Sequence, residues 1–137
     1  VNDRWEYTIP ANTSEANKIR VECKISVGVL TKIMVYFPPG CQGLARCRVF
    51  LGNKPVAPRS PGSHLAGEDG AIVLEQMNEF ISENRPVLDW QLWNVDDTYP
   101  HTLWMLAEWI SEDEPVEERI YVTLRNLLEL WQRRLGL

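Results

Sequence analysis

Long hydrophobic runs are missing from this chain, and so is any excess of positive charge. No stretch comes near the roughly 20 consecutive apolar residues that a membrane-spanning helix needs, so no membrane contact is expected. Lys and Arg number 14 against 19 Asp and Glu, a formal net charge of −5. Non-specific nucleic-acid binding needs a basic surface to displace counterions, and this balance does not provide one. Cysteine is scarce: three in 137 residues, too few and wrongly spaced for a zinc or disulfide framework. Histidine is scarcer, with only His64 and His101. A phosphate-cradling loop and a G-x-S-x-G nucleophile turn are both missing from the sequence. The first residues show no basic segment followed by an apolar run, so the expectation is synthesis in the cytoplasm, without a signal peptide and with reduced thiols. Val1 in place of an initiator methionine reads as a trimmed end.

What is present has the make-up of a globular domain, 45% hydrophobic and 24% charged. The length fits one domain that buries about two-thirds of its unfolded surface. Up to residue 110 the chain alternates with a period of two, the signature of strands with one face in the core. Trp5, Tyr7 and Ile9 share one face of the first run; Ile19, Val21, Cys23 and Ile25 share one face of the second. Residues 29–37 place Ile33, Val35 and Phe37 against Lys32, Met34 and Tyr36, and end at Pro38-Pro39-Gly40. Ala45, Cys47, Val49 and Leu51 follow, opposite Arg46 and Arg48, with Gly52-Asn53 as a two-residue hairpin. Residues 54–70 are rich in proline, glycine and polar side chains and are expected to form a long surface loop. A short strand is expected at 72–74; residues 75–83 fit a helix or an irregular edge. Residues 87–95 and 101–110 read as two partner strands.

After Pro115 the period changes. Ile120, Leu124, Leu127, Leu128, Trp131 and Leu135 recur at three- and four-residue steps. Glu112, Asp113, Glu114, Glu117 and Glu118 crowd the start and Arg133 and Arg134 the end, which suits a helix macrodipole. A helix over 116–134 would be about 28 Å long at 1.5 Å per residue. The expected fold is therefore mainly β: an antiparallel β-sandwich, jelly-roll or immunoglobulin-like, over 1–110, with a C-terminal amphipathic helical docking segment over 111–137.

Candidate chemistry is thin. Asp96, Asp97 and His101 in "NVDDTYPHT" are types that hold divalent cations. Asx side chains also bond nearby amides to turn a chain, and no second ligand cluster completes a site, so the stretch is read as a decorated hairpin. Ser63 beside His64 is not a triad. Glu108 and Glu112 read as solvated acids rather than a glycosidase pair. Cys23 and Cys47 fall on inward faces, whereas Cys41, in a turn, is expected to be the more exposed. No catalytic, cofactor-binding or metal residues are assigned.

The tryptophans stand out. Of six, Trp93, Trp104 and Trp109 fall in two strands expected to be neighbours. In residues 102–110 both faces are apolar: Leu103, Met105, Ala107 and Trp109 can fill the core, which leaves Trp104, Leu106 and Ile110 needing a cover. The cover is the chain's own helix, a neighbouring subunit, or a sugar stacked on an aromatic platform. The expected interface is Trp104, Leu106 and Ile110 with Ile120, Leu124, Leu127, Leu128 and Trp131 of the helix.

The order "YTIPANTSEAN", "GVLTKIMVYFPPGC", "GLARCRVFLG" and "WNVDDTYPHT" resembles uncharacterised small β-sandwich proteins of tailed phages and prophages over residues 5–110. That resemblance implies a non-enzymatic capsid, decoration or tail-associated component located in the virion. Its partners would be itself, as a homo-oligomer, and other particle proteins, with no nucleic acid or membrane bound directly. The alternative is a carbohydrate- or protein-binding module using surface tryptophans.

Overall fold

The computed structural model describes residues 1–112 and 116–136 and, within them, every side chain but those of 116–121. The strands are β1 (Asn2–Ile9), β2 (Ile19–Lys24), β3 (Gly28–Phe37), β4 (Ala45–Leu51), β5 (Lys54–Ala57), β6 (Leu65–Ala66), β7 (Gly70–Leu74), β8 (Glu79–Ile81), β9 (Val87–Asn94) and β10 (His101–Ser111). The helix α1 spans Val116–Arg134, the range that its period predicted.

Two antiparallel sheets face each other. The first runs β1-β10-β3-β7, with β8 also on β3; the second runs β2-β9-β4-β5, with β6 also on β4. The pairing is nested, first strand with last, second with next to last, and so inward to the β4–β5 hairpin. This is the strand order of a jelly roll, which decides against the immunoglobulin alternative.

The alternating residues meet between the sheets. Ile33, Val35, Phe37, Leu103, Met105 and Ala107 from the first sheet pack with Cys47, Val49, Leu88, Trp90 and Leu92 from the second. Trp5 lies 5.5 Å from Trp90, ring centre to ring centre, and joins the two layers. A bulge interrupts the β3–β10 ladder: Lys32 faces Glu108 but Leu30 faces Trp109, leaving Thr31 as the extra residue. The parity shift brings both Leu30 and Ile33 into the core. Thr31 Oγ1 donates to the Glu108 carbonyl at 3.1 Å and so fixes the bulge. At the end of that ladder Gly28 is required sterically, since a Cβ there would meet the Ile110 carbonyl oxygen at 1.9 Å. Gly52, at φ +61°, turns the β4–β5 hairpin as its sequence suggested.

Several expectations are corrected. Residues 87–95 and 101–110 are not partners: β9 pairs with β2 and β4, whereas β10 pairs with β1 and β3. Alternation shows which face of a strand is buried but not which strand lies beside it. The expected loop 54–70 contains β5 and β6, because Val56 and Ala57 are buried against β4 despite the surrounding prolines. Of the two readings of 75–83, helix or irregular edge, the structure takes the second: Glu79–Ile81 form the short strand β8 on β3. Cys41 is fully buried rather than exposed; the turn around it, closed by Leu44 N–H donating to the Cys41 carbonyl at 2.8 Å, points its side chain inward.

Candidate docking surfaces

The outer face of the first sheet is built by register. Trp104 faces Glu6 on one side and Tyr36 on the other; Leu106 faces Arg4 and Met34, and Met34 faces Val73. Trp104 is 41% exposed, with its ring centre 5.6 Å from that of Tyr36, and Val73 is exposed nearby. Leu106 departs from the expected open face. It is buried, though outside the main core cluster. Ile110 is half-buried, at the far end of β10, in the wall of a cleft beside α1.

That cleft has a volume of about 600 Å³ and lies between α1 and the β3–β8 end of the first sheet. Val29, Met77, Phe80, Ile81 and Ile110 line the body side, and Val122, Leu124, Leu127 and Leu130 the helix side. Phe80 stands 80% exposed, an apolar surface residue that neither reading of 75–83, helix or irregular edge, marked as exposed. The helix also touches the body through a hydrogen bond from Gln76 Nε2 to Glu129 Oε2.

The face that α1 turns to the body is not its most apolar one. Val122, Asn126 and Glu129 are half-buried and share one side at 3.6 residues per turn. Leu128, Trp131 and, in the turn after the helix, Leu135 fall on the opposite side and are 59%, 67% and 63% exposed; Leu124 and Leu127, 59% and 51% exposed, also reach the lining of the cleft. Ile120, expected in the same stripe, has its side chain outside the described residues.

The tryptophans do not form one platform. Trp104 lies on the outside of the first sheet, Trp109 is in the core with Nε1 donating to Ser26 Oγ at 2.7 Å, and Trp93 lies on the outside of the second sheet. Trp93 is buried there: His64 meets its ring edge-on at 5.7 Å and the Arg48 guanidinium lies 5.1 Å from its centre. Burial, with Arg46 adding to it, holds the His64 imidazole below its ordinary pKa. Beside Trp93 a charge-assisted chain links the strands. Arg20 Nη2 donates to Asp89 at 2.6 Å, Gln91 Nε2 donates to Asp89 at 3.1 Å, and Arg48 donates to Gln91 and Glu15 at 2.8 Å each. The two buried members of this chain, Asp89 and Gln91, each find hydrogen-bond partners within the protein, as buried polar groups do.

The "NVDDTYPHT" stretch crosses from one sheet to the other. Asp96 Oδ1 accepts from the Thr98 and Tyr99 amides at 2.9 and 3.2 Å, and Oδ2 pairs with His101 Nε2 at 2.8 Å. Asn94, which sequence reasoning passed over, is fully buried, with its amide donating toward the Ile9, Pro10 and Tyr99 carbonyls. Asp97 points outward and bonds only the neighbouring Thr98 hydroxyl. These side chains tie the crossover together, and among the described residues no group of three His, Cys, Asp or Glu side chains is placed to share a metal ion. No protein-family model and no curated protein sequence matches the chain.

Proposed function

We propose that this protein is a non-enzymatic structural component of a viral, phage-type particle, acting by docking on copies of itself and on other particle proteins. The observation that carries the reading is the apolar stripe of α1 and the turn after it, where Leu124, Leu128, Trp131 and Leu135 are each at least 59% exposed. Contiguous apolar surface of this kind marks an interaction site, and each such side chain contributes about 1.5–3 kcal/mol when fully buried. The jelly-roll order and the resemblance of residues 5–110 to small phage β-sandwich proteins support the particle assignment by analogy.

Multi-angle light scattering of the full chain tests the docking. The expected result is a defined oligomer that Leu124→Asp with Leu128→Asp reduces to monomers while circular dichroism stays unchanged. A monomer at high concentration, with a gene neighbourhood empty of capsid and portal genes, would sink the reading. A second reading, a binding module, draws on the exposed Trp104–Tyr36 pair alone, since Trp93 is covered. Glycan-array binding that Trp104→Ala abolishes would favour it.

A further inference from the structure

We infer that residues 58–64 form an acid-loosened strap over Trp93, seated on the second sheet while His64 is neutral and lifted when His64 is protonated. The inference is independent of the docking reading above. Trp93 stands on an outer face and outside the main core cluster, yet it is only 1% exposed. β5 and β6 both pair with β4 on the side away from β9, and residues 58–64 join them. From that side His64 reaches across β4 to meet the indole edge-on at 5.7 Å. The strap is lightly held. Arg59 meets Glu79 at 3.1 Å, the Ser63 amide donates to the Ser60 carbonyl at 3.2 Å, and β6 is two residues long. Residues 59–64 are all exposed.

Register gathers the charges. The β4–β6 pairs are Arg46–Ala66 and Cys47–Leu65, so the next step of the same register sets His64 beside Arg48. Arg46 is also the partner of Trp93 across the β4–β9 ladder, and the Arg48 guanidinium lies 5.1 Å from the centre of the same indole. Glu15, from the short helical turn Glu15–Asn17, is the acid of the group, and it is already engaged by Arg48 at 2.8 Å. Asp89, farther along β9, is engaged by Arg20 at 2.6 Å. A proton on His64 therefore adds a third cation beside Arg46 and Arg48. Like charges set side by side on one sheet face oppose each other, and a ring pressed on an indole gives up part of its hydration. The lowered pKa of His64 has the same causes, burial and then Arg46, with Glu15 opposing and Arg48 adding. A group held low in this way favours the seated strap fully above its free value, about pH 6.5, and loses that contribution as pH falls through the seated value. Lifting uncovers an indole flanked by two guanidinium groups, a surface that the second sheet hides at neutral pH.

Hydroxyl-radical footprinting of the full chain, read residue by residue in a mass spectrometer, tests this from about pH 8 to about pH 5. Trp104, 41% exposed, is the internal reference, and Trp90, buried in the core, reports on the sandwich itself. The labelling of Trp93 relative to Trp104 is expected to rise at least about threefold as pH falls, with Trp90 unlabelled throughout. The rise should follow the titration of His64 measured by NMR on the same chain. His64→Phe keeps a ring against the indole but has no proton to gain, so its Trp93 should stay covered at every pH. Unchanged Trp93 labelling across the His64 titration would overturn the strap. An equal rise in His64→Phe would assign the loosening to another group, and labelling of Trp90 in step with Trp93 would mean that the sandwich opens instead; either result would also overturn it.

Discussion

Replacing Asn94 with alanine probes the crossover that closes one end of the sandwich. The Asn94 amide group points at three carbonyl oxygens, of Tyr99 at 3.0 Å, Ile9 at 3.3 Å and Pro10 at 3.4 Å, and its Oδ1 accepts from the Asp96 amide at 3.0 Å. An NH2 group has two protons, so only two of those carbonyls can each have one to themselves. Three bonds are therefore at stake, each worth about 0.5–1.5 kcal/mol net. Alanine also strands the Asp96 amide in a buried place, which pushes the loss to the upper half of that range, about 3 kcal/mol. For a domain of this size that is on the order of 10 °C in Tm. Asp97→Ala, next to the buried Asp96, is the control: its carboxylate is exposed and accepts from the Thr98 hydroxyl, so about 0.5 kcal/mol or less is expected. Urea unfolding followed by tryptophan fluorescence measures both. Equal losses for the two variants, or less than about 1 kcal/mol for Asn94→Ala, would refute the claim that Asn94 pins the crossover.

Three further outcomes follow from other contacts. Glu79, its carboxylate 8% exposed, receives Lys54 at 2.6 Å and Arg59 at 3.1 Å across the two sheets. Both cations stay largely in water when it is removed, so Glu79→Ala should cost only about 1–2 kcal/mol in urea unfolding. The Asp96 carboxyl is held below its ordinary pKa by the Thr98 amide, then His101 and the Tyr99 amide. A depressed carboxyl stabilises the fold fully above the unfolded value, roughly pH 4, and loses that contribution as pH falls through the folded value. Asp96→Asn should therefore flatten the acid limb of the stability profile, and an unaltered limb would count against the contact. Burial pushes the Cys23 thiol up to about 11, with Asp3 adding to it, and raises Cys41 and Cys47 as well. Ellman's reagent at pH 8 should react slowly with the native protein and titrate three thiols in denaturant; fast reaction of a native thiol would contradict that burial.

Face and period were legible in the residues; partnership was not. The alternation of Ala45, Cys47, Val49 and Leu51 places four buried side chains correctly, and the stepping of Leu124, Leu128 and Trp131 marks α1 to the residue. Both follow from local geometry, two residues per strand repeat and 3.6 per turn. Nothing local says that residues 94–101 change sheets, because a tight turn and a crossover of this length draw on the same Asx chemistry. The tryptophan cluster failed for that reason: neighbours in sequence, Trp93 and Trp104, lie on the outsides of opposite sheets. Burial of Leu106 and Cys41 was hidden too, since it depends on the strands and turn that cover them. The apolar stripe of α1 was readable as a surface in need of a partner, whereas its direction relative to the body required the structure.

The two kinds of exposed backbone explain why docking should fall to the helix rather than to a sheet edge. A free edge invites another strand, and proteins blunt it with charge or brevity. Here the edge strand β1 carries Asp3, Arg4 and Glu6, β2 carries Arg20, Glu22 and Lys24, β5 carries Lys54 and Pro55, and β6 and β8 are two and three residues long; among the described residues β7, five residues in length, is the one longer edge without a charge. The helix, by contrast, follows β10, which pairs with β1 over residues 101–108 and with β3 over residues 104–111 and ends at the Ser111–Gly28 pair, with the Glu112 amide donating to the Val27 carbonyl at 2.8 Å. On the docking proposal, a load on α1 would reach first the Ile110–Ser111 end of β10, held by β3, and then residues 104–108, held on both sides, where pulling the strand out means breaking two ladders at once. An edge contact would load a strand held by one. If the docking proposal holds, a partner on Leu128 and Trp131 would therefore be resisted by the doubly held stretch 104–108 before the sandwich opens.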